Sequence, residues 1–262
     1  MVIGHSKMTA ERIAREKSFH DERFKKRPWR NRMLSAVTHL MTQNVLDVVY
    51  NTVRPYCKKS DILDYGCAQG EASLILRRYG ADNVIGIDIS DVAVSQAAER
   101  AAKEGVSDVS FRAMNAEDLQ FEDALFDVIF GIGILHHLDQ SRSYSEIARV
   151  LKPDGVAVFL EPLGHNPLVN LMRYLTPSAR TPDEHPMTAE DLRLLSVYFD
   201  NVQMQFMNLT TLFAAPLGGL PGSRLINRLL VALDCGIFYL CPWLQRFSWN
   251  VVLTLKKPKQ VF

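Results

Sequence analysis

The residues with the clearest chemical potential lie in 62–73, Ile62-Leu63-Asp64-Tyr65-Gly66-Cys67-Ala68-Gln69-Gly70-Glu71-Ala72-Ser73. An apolar run ends on an acid, Gly66 and Gly70 follow, and a helical pattern opens at Leu74, Ile75 and Leu76. That order reads as strand, tight turn and helix start, and glycines there let the backbone approach a ligand with no Cβ in the way. About twenty residues on, Val84-Ile85-Gly86-Ile87-Asp88 is a second strand that ends in an acid. A carboxylate in that place can accept hydrogen bonds from a ribose diol, the geometry of nucleoside-binding βαβ units. The glycine turn alone is a weak signal; joined to Asp88 at this spacing it is a specific one.

The elements that must hold these residues alternate from Asp61 onward. Strands are predicted at 62–65, 84–88, 109–113, 126–130 and 156–160, with helices near 70–79, 91–104 and 141–151. Ser90 or Asp91 suits the N-cap of the second helix, and Gly105 its stop. Such alternation predicts a parallel sheet covered on both faces, with ligands outside the carboxyl ends of its strands. The motif residues all fall at those ends. Further on, the pattern predicts a short helix over 167–175, a helix over 188–199 capped by Thr188, and strands over 201–208 and 249–255. Ahead of the sheet lie a charged helix over 7–26, a break at Pro28 and Trp29, and an apolar-periodic helix over 31–53. The organisation expected is a helical cap over 1–59 and one domain over 60–262, interrupted by insertions at 163–187 and 209–246.

Composition narrows the class. A chain of 262 residues, 47% hydrophobic, suits one large α/β domain with additions. Cys57, Cys67, Cys235 and Cys241 form no Cys-x-x-Cys pair, which argues against a structural zinc site and for a reduced, cytoplasmic setting; no metal is expected. The net charge of +1 hides an asymmetry, since residues 1–60 hold 13 Lys/Arg against 5 Asp/Glu. A basic front end could face a lipid surface, a phosphorylated substrate or nucleic acid, or simply be a solvated helical face. A nearly neutral total speaks against nucleic acid as partner.

Together these residues resemble the class I S-adenosylmethionine-dependent methyltransferases, over about residues 60–162. The turn Asp64-x-Gly66-Cys67-x-x-Gly70 is similar to the family's first motif, and Asp88 to its ribose-binding acid, with Ile89 beside it. Asn115-Ala116-Glu117 matches the adenine-binding segment, and Gly131-Ile132-Gly133-Ile134-Leu135-His136-His137-Leu138 the segment after the fourth strand. The family commonly has glycine where Ala68 stands and aspartate where Asn115 stands; an Asn carbonyl can still accept from an adenine amino group. The resemblance implies a Rossmann-like doubly wound sheet of seven strands, mostly parallel, with an antiparallel edge hairpin. It implies S-adenosylmethionine as cofactor, held by Asp64, Gly66, Cys67, Gly70, Asp88, Ile89, Asn115, Ala116, Glu117 and Gly131.

The acceptor half is less legible, because in-line displacement at an activated methyl needs mainly alignment. A base is required only where the nucleophile must lose a proton. His165, His136 and Glu161 are the catalytic candidates, since they follow the fourth and fifth strands. His165 and Asn166 could instead cap the helix that starts at Pro167. His20 and Trp29 could close over the cofactor, although core packing is the simpler role for Trp29. Residues 209–246 are apolar but too interrupted to span a bilayer. A lid over a hydrophobic acceptor is expected there, with Leu229, Leu233, Ile237 and Leu240 facing it; peripheral membrane contact or a homo-oligomer interface are the competing readings. The function expected is methylation, chiefly O-methylation, of a small hydrophobic acceptor. The alternatives are an RNA or protein methyltransferase and a non-catalytic S-adenosylmethionine-binding protein.

Overall fold

The structure, a computed structural model, describes residues 2–25, 44–176, 184–212 and 222–259. Five parallel strands form in the predicted places: β1 (Asp61–Tyr65), β2 (Asn83–Asp88), β3 (Val109–Ala113), β4 (Phe126–Ile132) and β5 (Leu151–Pro162). β6 (Phe199–Met207) and β7 (Asn250–Pro258) complete one sheet in the order β3-β2-β1-β4-β5-β7-β6. β7 runs antiparallel to both neighbours, so the edge hairpin is present. The Rossmann-like order reverses direction between β1 and β4, which opens a crevice at their carboxyl ends.

β1, β4 and β5 read as nearly continuous apolar runs because helices cover the sheet on both sides. On one face, Tyr144 and Ile147 of α5 (Gln140–Val150) and Leu192 and Leu195 of α7 (Ala189–Tyr198) pack against Leu63, Ile129, Phe159 and Leu253. On the other, Val45, Val49 and Val53 of a helix over 44–53 join Leu76 of the helix Glu71–Arg78 against Ile62, Val84, Val128 and Phe130. In chain order these two are α2 and α3. Each such side chain contributes about 1.5–3 kcal/mol by leaving water. The helix α4 (Asp91–Lys103) lays Ala93, Ala97 and Ala101 inward.

The expected N-terminal cap divides in two. α2 is a sheet-covering helix, whereas α1 (Val2–Lys25) passes over the carboxyl ends of the strands. Pro28, Trp29 and the start of the helix expected over 31–53 lie outside the described residues. β5 also begins earlier than the predicted 156, at Leu151, because Leu151 pairs with Phe126 while Val156 pairs with Val128. Residues 152–155 therefore bulge between two paired positions instead of closing a helix.

Capping follows the sequence closely. Ser90 accepts from Ala93 N at α4, and Thr188 forms a reciprocal capping box with Asp191 at α7. Asn166 accepts from Leu168 N and Val169 N to start α6 (Pro167–Leu175). The remaining helix, α8 (Ser223–Leu240), lies in the late insertion.

Candidate active site

The turn from β1 into α3 sets the floor of the crevice. Gly66 and Gly70 have φ of +82° and +76°. A Cβ on Gly70 would stand 2.8 Å from Phe111 Cζ and 2.9 Å from Ala97 Cβ, so this glycine lets the turn pack against β3 and α4. Ala68 also takes a left-handed φ, +46°, at a cost of roughly 1–2 kcal/mol for an L residue. Its amide pays part of this back, donating to Asp88 Oδ2 at 3.0 Å. Ser90 N donates to the other oxygen, Oδ1, at 2.9 Å. Burial raises the Asp88 pKa, and these two amides oppose the rise. Each oxygen keeps a further lone pair for a ligand.

A cavity of about 260 Å³ opens above this floor. Gly66, Ala68, Asp88, Ile89, Asn115, Ala116 and Glu117 line its sheet side, and Ile132, Gly133, Ile134, His137 and Leu138 its β4 side. Asn115 Oδ1 accepts from Glu117 N at 3.0 Å, which fixes the amide at the wall. The roof is α1, through Arg12, Ile13, Glu16, His20, Arg23 and Phe24. Polar contacts tie that roof to both lips. At one lip Lys17 reaches Asp91 (2.5 Å) and Asp21 accepts from Ser90 Oγ (2.5 Å). At the other, Arg12 donates to His137 O (2.9 Å) and to the Glu117 carboxylate.

The segment after β4 is held from behind. Glu161, fully buried at the end of β5, accepts from Ile134 N (2.9 Å) and Leu135 N (2.8 Å), and its second oxygen meets His136 Nδ1 at 2.7 Å. The carboxylate is thereby consumed in fixing the short turn Leu135–His137. That turn presents His137 to the cavity.

Comparison with known proteins bears on the same residues. Residues 63–159 match the model of a family described as "Methyltransferase domain". Residues 63–159 thus form a methyltransferase domain, similar to those of S-adenosylmethionine-dependent methyltransferases. The chain is 38% identical over 96 residues to 27-O-demethylrifamycin SV methyltransferase of Amycolatopsis mediterranei, covering 36% of this chain and 35% of that protein. It is 32% identical over 108 residues to ubiquinone biosynthesis O-methyltransferase of Neisseria meningitidis, covering 40% and 45%. The chain thus spans less than half the length of either relative. The structure of YcgJ from Bacillus subtilis superposes with a TM-score of 0.55 at 22% identity, over 82% of this chain and 99% of that one, and so shares the fold.

The cofactor of the methyltransferase domain is S-adenosylmethionine, and the cavity's donor set suits it. Asp88 and Asn115 line the cavity together with the apolar Ile89, Met114 and Leu138, a set whose chemistry suits a ribose diol and a purine. Of the residues expected to hold the cofactor, Gly66, Asp88, Ile89, Asn115, Ala116 and Glu117 line the cavity. Asp64, Cys67, Gly70 and Gly131 stand behind the lining. Asp64 is buried and accepts from Ser73 Oγ, and a Cβ on Gly131 would meet Phe159 Cδ1 at 2.7 Å. These four shape the turn and the strands instead of facing the cavity.

The expected catalytic trio is not assembled at the cavity. His165 is exposed, and its Nε2 accepts from Ala189 N at 3.2 Å, so the ring caps α7. Asn166 caps α6, as the alternative reading of this pair had it. Glu161 and His136 pair with each other, the acid being saturated by backbone amides. The lid expected from 209–246 also differs. Among its described residues none lines the cavity, and Leu229 (62%), Leu233 (50%) and Leu240 (77%) are exposed. Asp234 explains α8's seat: buried, it accepts from Leu209 N (3.0 Å) and Thr210 N (2.7 Å) and pins the helix to the segment that follows β6.

Sequence reasoning passed over most of the roof. Arg12, Ile13, Glu16, His20, Arg23 and Phe24 recur at helical spacing on one face of α1, a signal weakened by the few apolar residues among them. His137 belongs to the segment that the resemblance picks out after the fourth strand, and His20 was expected to close over the cofactor; both line the cavity.

Proposed function

We propose that the chain transfers the methyl group of S-adenosylmethionine to a hydroxyl oxygen of a small, hydrophobic acceptor. The observation that carries this reading is the roofed cavity in which Asp88, Asn115 and Glu117 meet His137 and the α1 side chains. Bound there, the cofactor supplies a methyl on an electron-poor sulfur, already activated for in-line displacement. The chain's residues do the rest. Asp88 would accept from the ribose hydroxyls, and Asn115 would fix the purine edge. The Glu161–His136 pair would hold the Leu135–His137 turn, so that His137 keeps its place on the wall. α1 would exclude water. The groups able to act on an acceptor's hydroxyl proton are Glu16, His20 and His137.

Oxygen as the methylated atom is supported by two relatives whose names specify it. A hydrophobic acceptor, met at a lipid surface, is supported by the exposed apolar faces of α6 and α8. Leu168, Leu171, Met172 and Leu175 of the first and Leu225, Leu229, Leu233 and Leu240 of the second stand in solvent. Among the described residues no helix is long and apolar enough to cross a membrane.

The test is calorimetry of cofactor binding with Asp88→Ala. Losing a charged acceptor for the ribose should cost about 1.5–3 kcal/mol, a 10- to 150-fold weaker Kd. Unchanged affinity in a folded variant would remove the assignment. A screen of lipophilic alcohols and phenols for methylated product then tests the reaction.

A further inference from the structure

We propose that Glu16, His20 and His137 form a binding site for one zinc-type divalent cation on the roof side of the cavity. Glu16 Oε2 lies 3.5 Å from His20 Nε2 and 3.4 Å from His137 Nδ1, and the three ligand atoms all fall within 4.8 Å of one another. Two imidazole nitrogens and one carboxylate oxygen therefore converge on a single small volume. N–H···O hydrogen bonds span about 2.7–3.2 Å, shorter than either contact. Ligands bound at about 2.0–2.1 Å around a tetrahedral zinc stand about 3.3–3.4 Å apart, close to the two Glu16 contacts. His137 Nδ1 is also buried with no hydrogen-bond partner, so a ring nitrogen is available at this point.

The donor set has the form of an open site. Two histidines and one glutamate leave a fourth position, as zinc sites with an exchangeable ligand do. All three residues line the cavity, so that position opens toward it. A second grouping, His136, His137 and Glu184, shares His137, but neither His136 nor Glu184 lines the cavity, and His136 Nε2 stands 3.8 Å from Glu184. The site is built from both sides of the crevice. Glu16 and His20 come from α1, and His137 from the turn behind β4, so a bound cation would also latch the roof. The cation's role toward an acceptor hydroxyl rests on the proposed reaction; the site itself does not.

The experiment uses the full chain stripped with a chelator and titrated with Zn²⁺ against a chromophoric competitor, without cofactor. One equivalent should bind, and His20→Ala and His137→Ala should each weaken it at least tenfold. Co²⁺ in place of Zn²⁺ should give the intense visible absorption of four-coordination, lost in Glu16→Gln. Hydrogen exchange of residues 10–25 should slow on adding Zn²⁺. His20→Ala alters only the roof helix, so it tests the site even where His137→Ala fails to fold. No equimolar binding by the wild type, or binding undiminished in the folded variants, overturns the site. Cofactor affinity measured on the same stripped samples keeps that result separate from the fate of the methyltransferase reading.

Discussion

Asp64 lies one residue before the end of β1, and burial there pushes its carboxyl up to about 7, with the Ser73 hydroxyl opposing the rise and Asp88 adding to it. Between the ordinary value of 3.8 and about 7, the folded chain holds a proton that the unfolded chain releases. Stability from this group is therefore full below about pH 4 and is lost as pH climbs through 7, opposite to a salt-bridged acid. Asp64→Asn removes the titration and keeps an acceptor for Ser73. Its advantage over the wild type in urea unfolding should be near zero at pH 4 and reach a few kcal/mol at pH 8. Parallel pH profiles for the two proteins would contradict this. Asp64 and Asp88 were legible in the sequence because strand, turn and acid are contiguous there, whereas Asn115 was picked out only by the family resemblance. Glu161 was not legible, because its partners sit on a turn 25 or more residues upstream, so a strand-end acid that looked catalytic proved to be a scaffold.

At the scale of elements, α1 is the piece that the sequence describes least and the cavity depends on most. Its few apolar residues predict a helix without saying what it covers, since its partners lie 69 or more residues away in the chain. The sheet, by contrast, was legible because each strand is a local apolar run closed by a turn. α1 is held by ion pairs and hydrogen bonds such as Lys17–Asp91, and exposed pairs of this kind contribute about 0–1 kcal/mol each. Amides of residues 10–25 should therefore exchange hydrogen well before those of α4, and cofactor should slow them. Arg12→Ala should exaggerate both effects. It removes the guanidinium from Glu117, whose side chain is 1% exposed and which keeps Asp139 N at 2.8 Å. Cofactor should then dissociate several-fold faster. Exchange in α1 as slow as in α4, or a cofactor off-rate unmoved by Arg12→Ala, would show that the roof does not open.

Across the whole molecule, the apolar surface gathers on the late insertions. Asn166 Nδ2 donates to Phe247 O at 2.6 Å, which joins the start of α6 to the turn Pro242–Phe247 following α8. The same segments carry Tyr174, Tyr239 and Trp243, which are 82%, 86% and 60% exposed. Aromatic residues with one polar end favour the boundary between lipid and water. Charge points the same way. Residues 167–175 and 222–247 carry Arg173, Arg224, Arg228 and Arg246 against a single acid, Asp234, which is buried under Leu209 and Thr210. Apolar segments that hold four arginines and one buried acid complement an anionic bilayer better than a second copy of themselves. The chain should therefore sediment with vesicles of phosphatidylcholine and phosphatidylglycerol, less with phosphatidylcholine alone, and less again as salt rises. Leu229→Glu with Leu233→Glu places two acids on exposed positions that the fold does not use, and should abolish sedimentation without lowering the unfolding temperature. If the wild type stays in the supernatant and light scattering shows a dimer that the double variant splits, the face belongs to a second copy. If the double variant sediments as before, contact with lipid lies elsewhere on the chain.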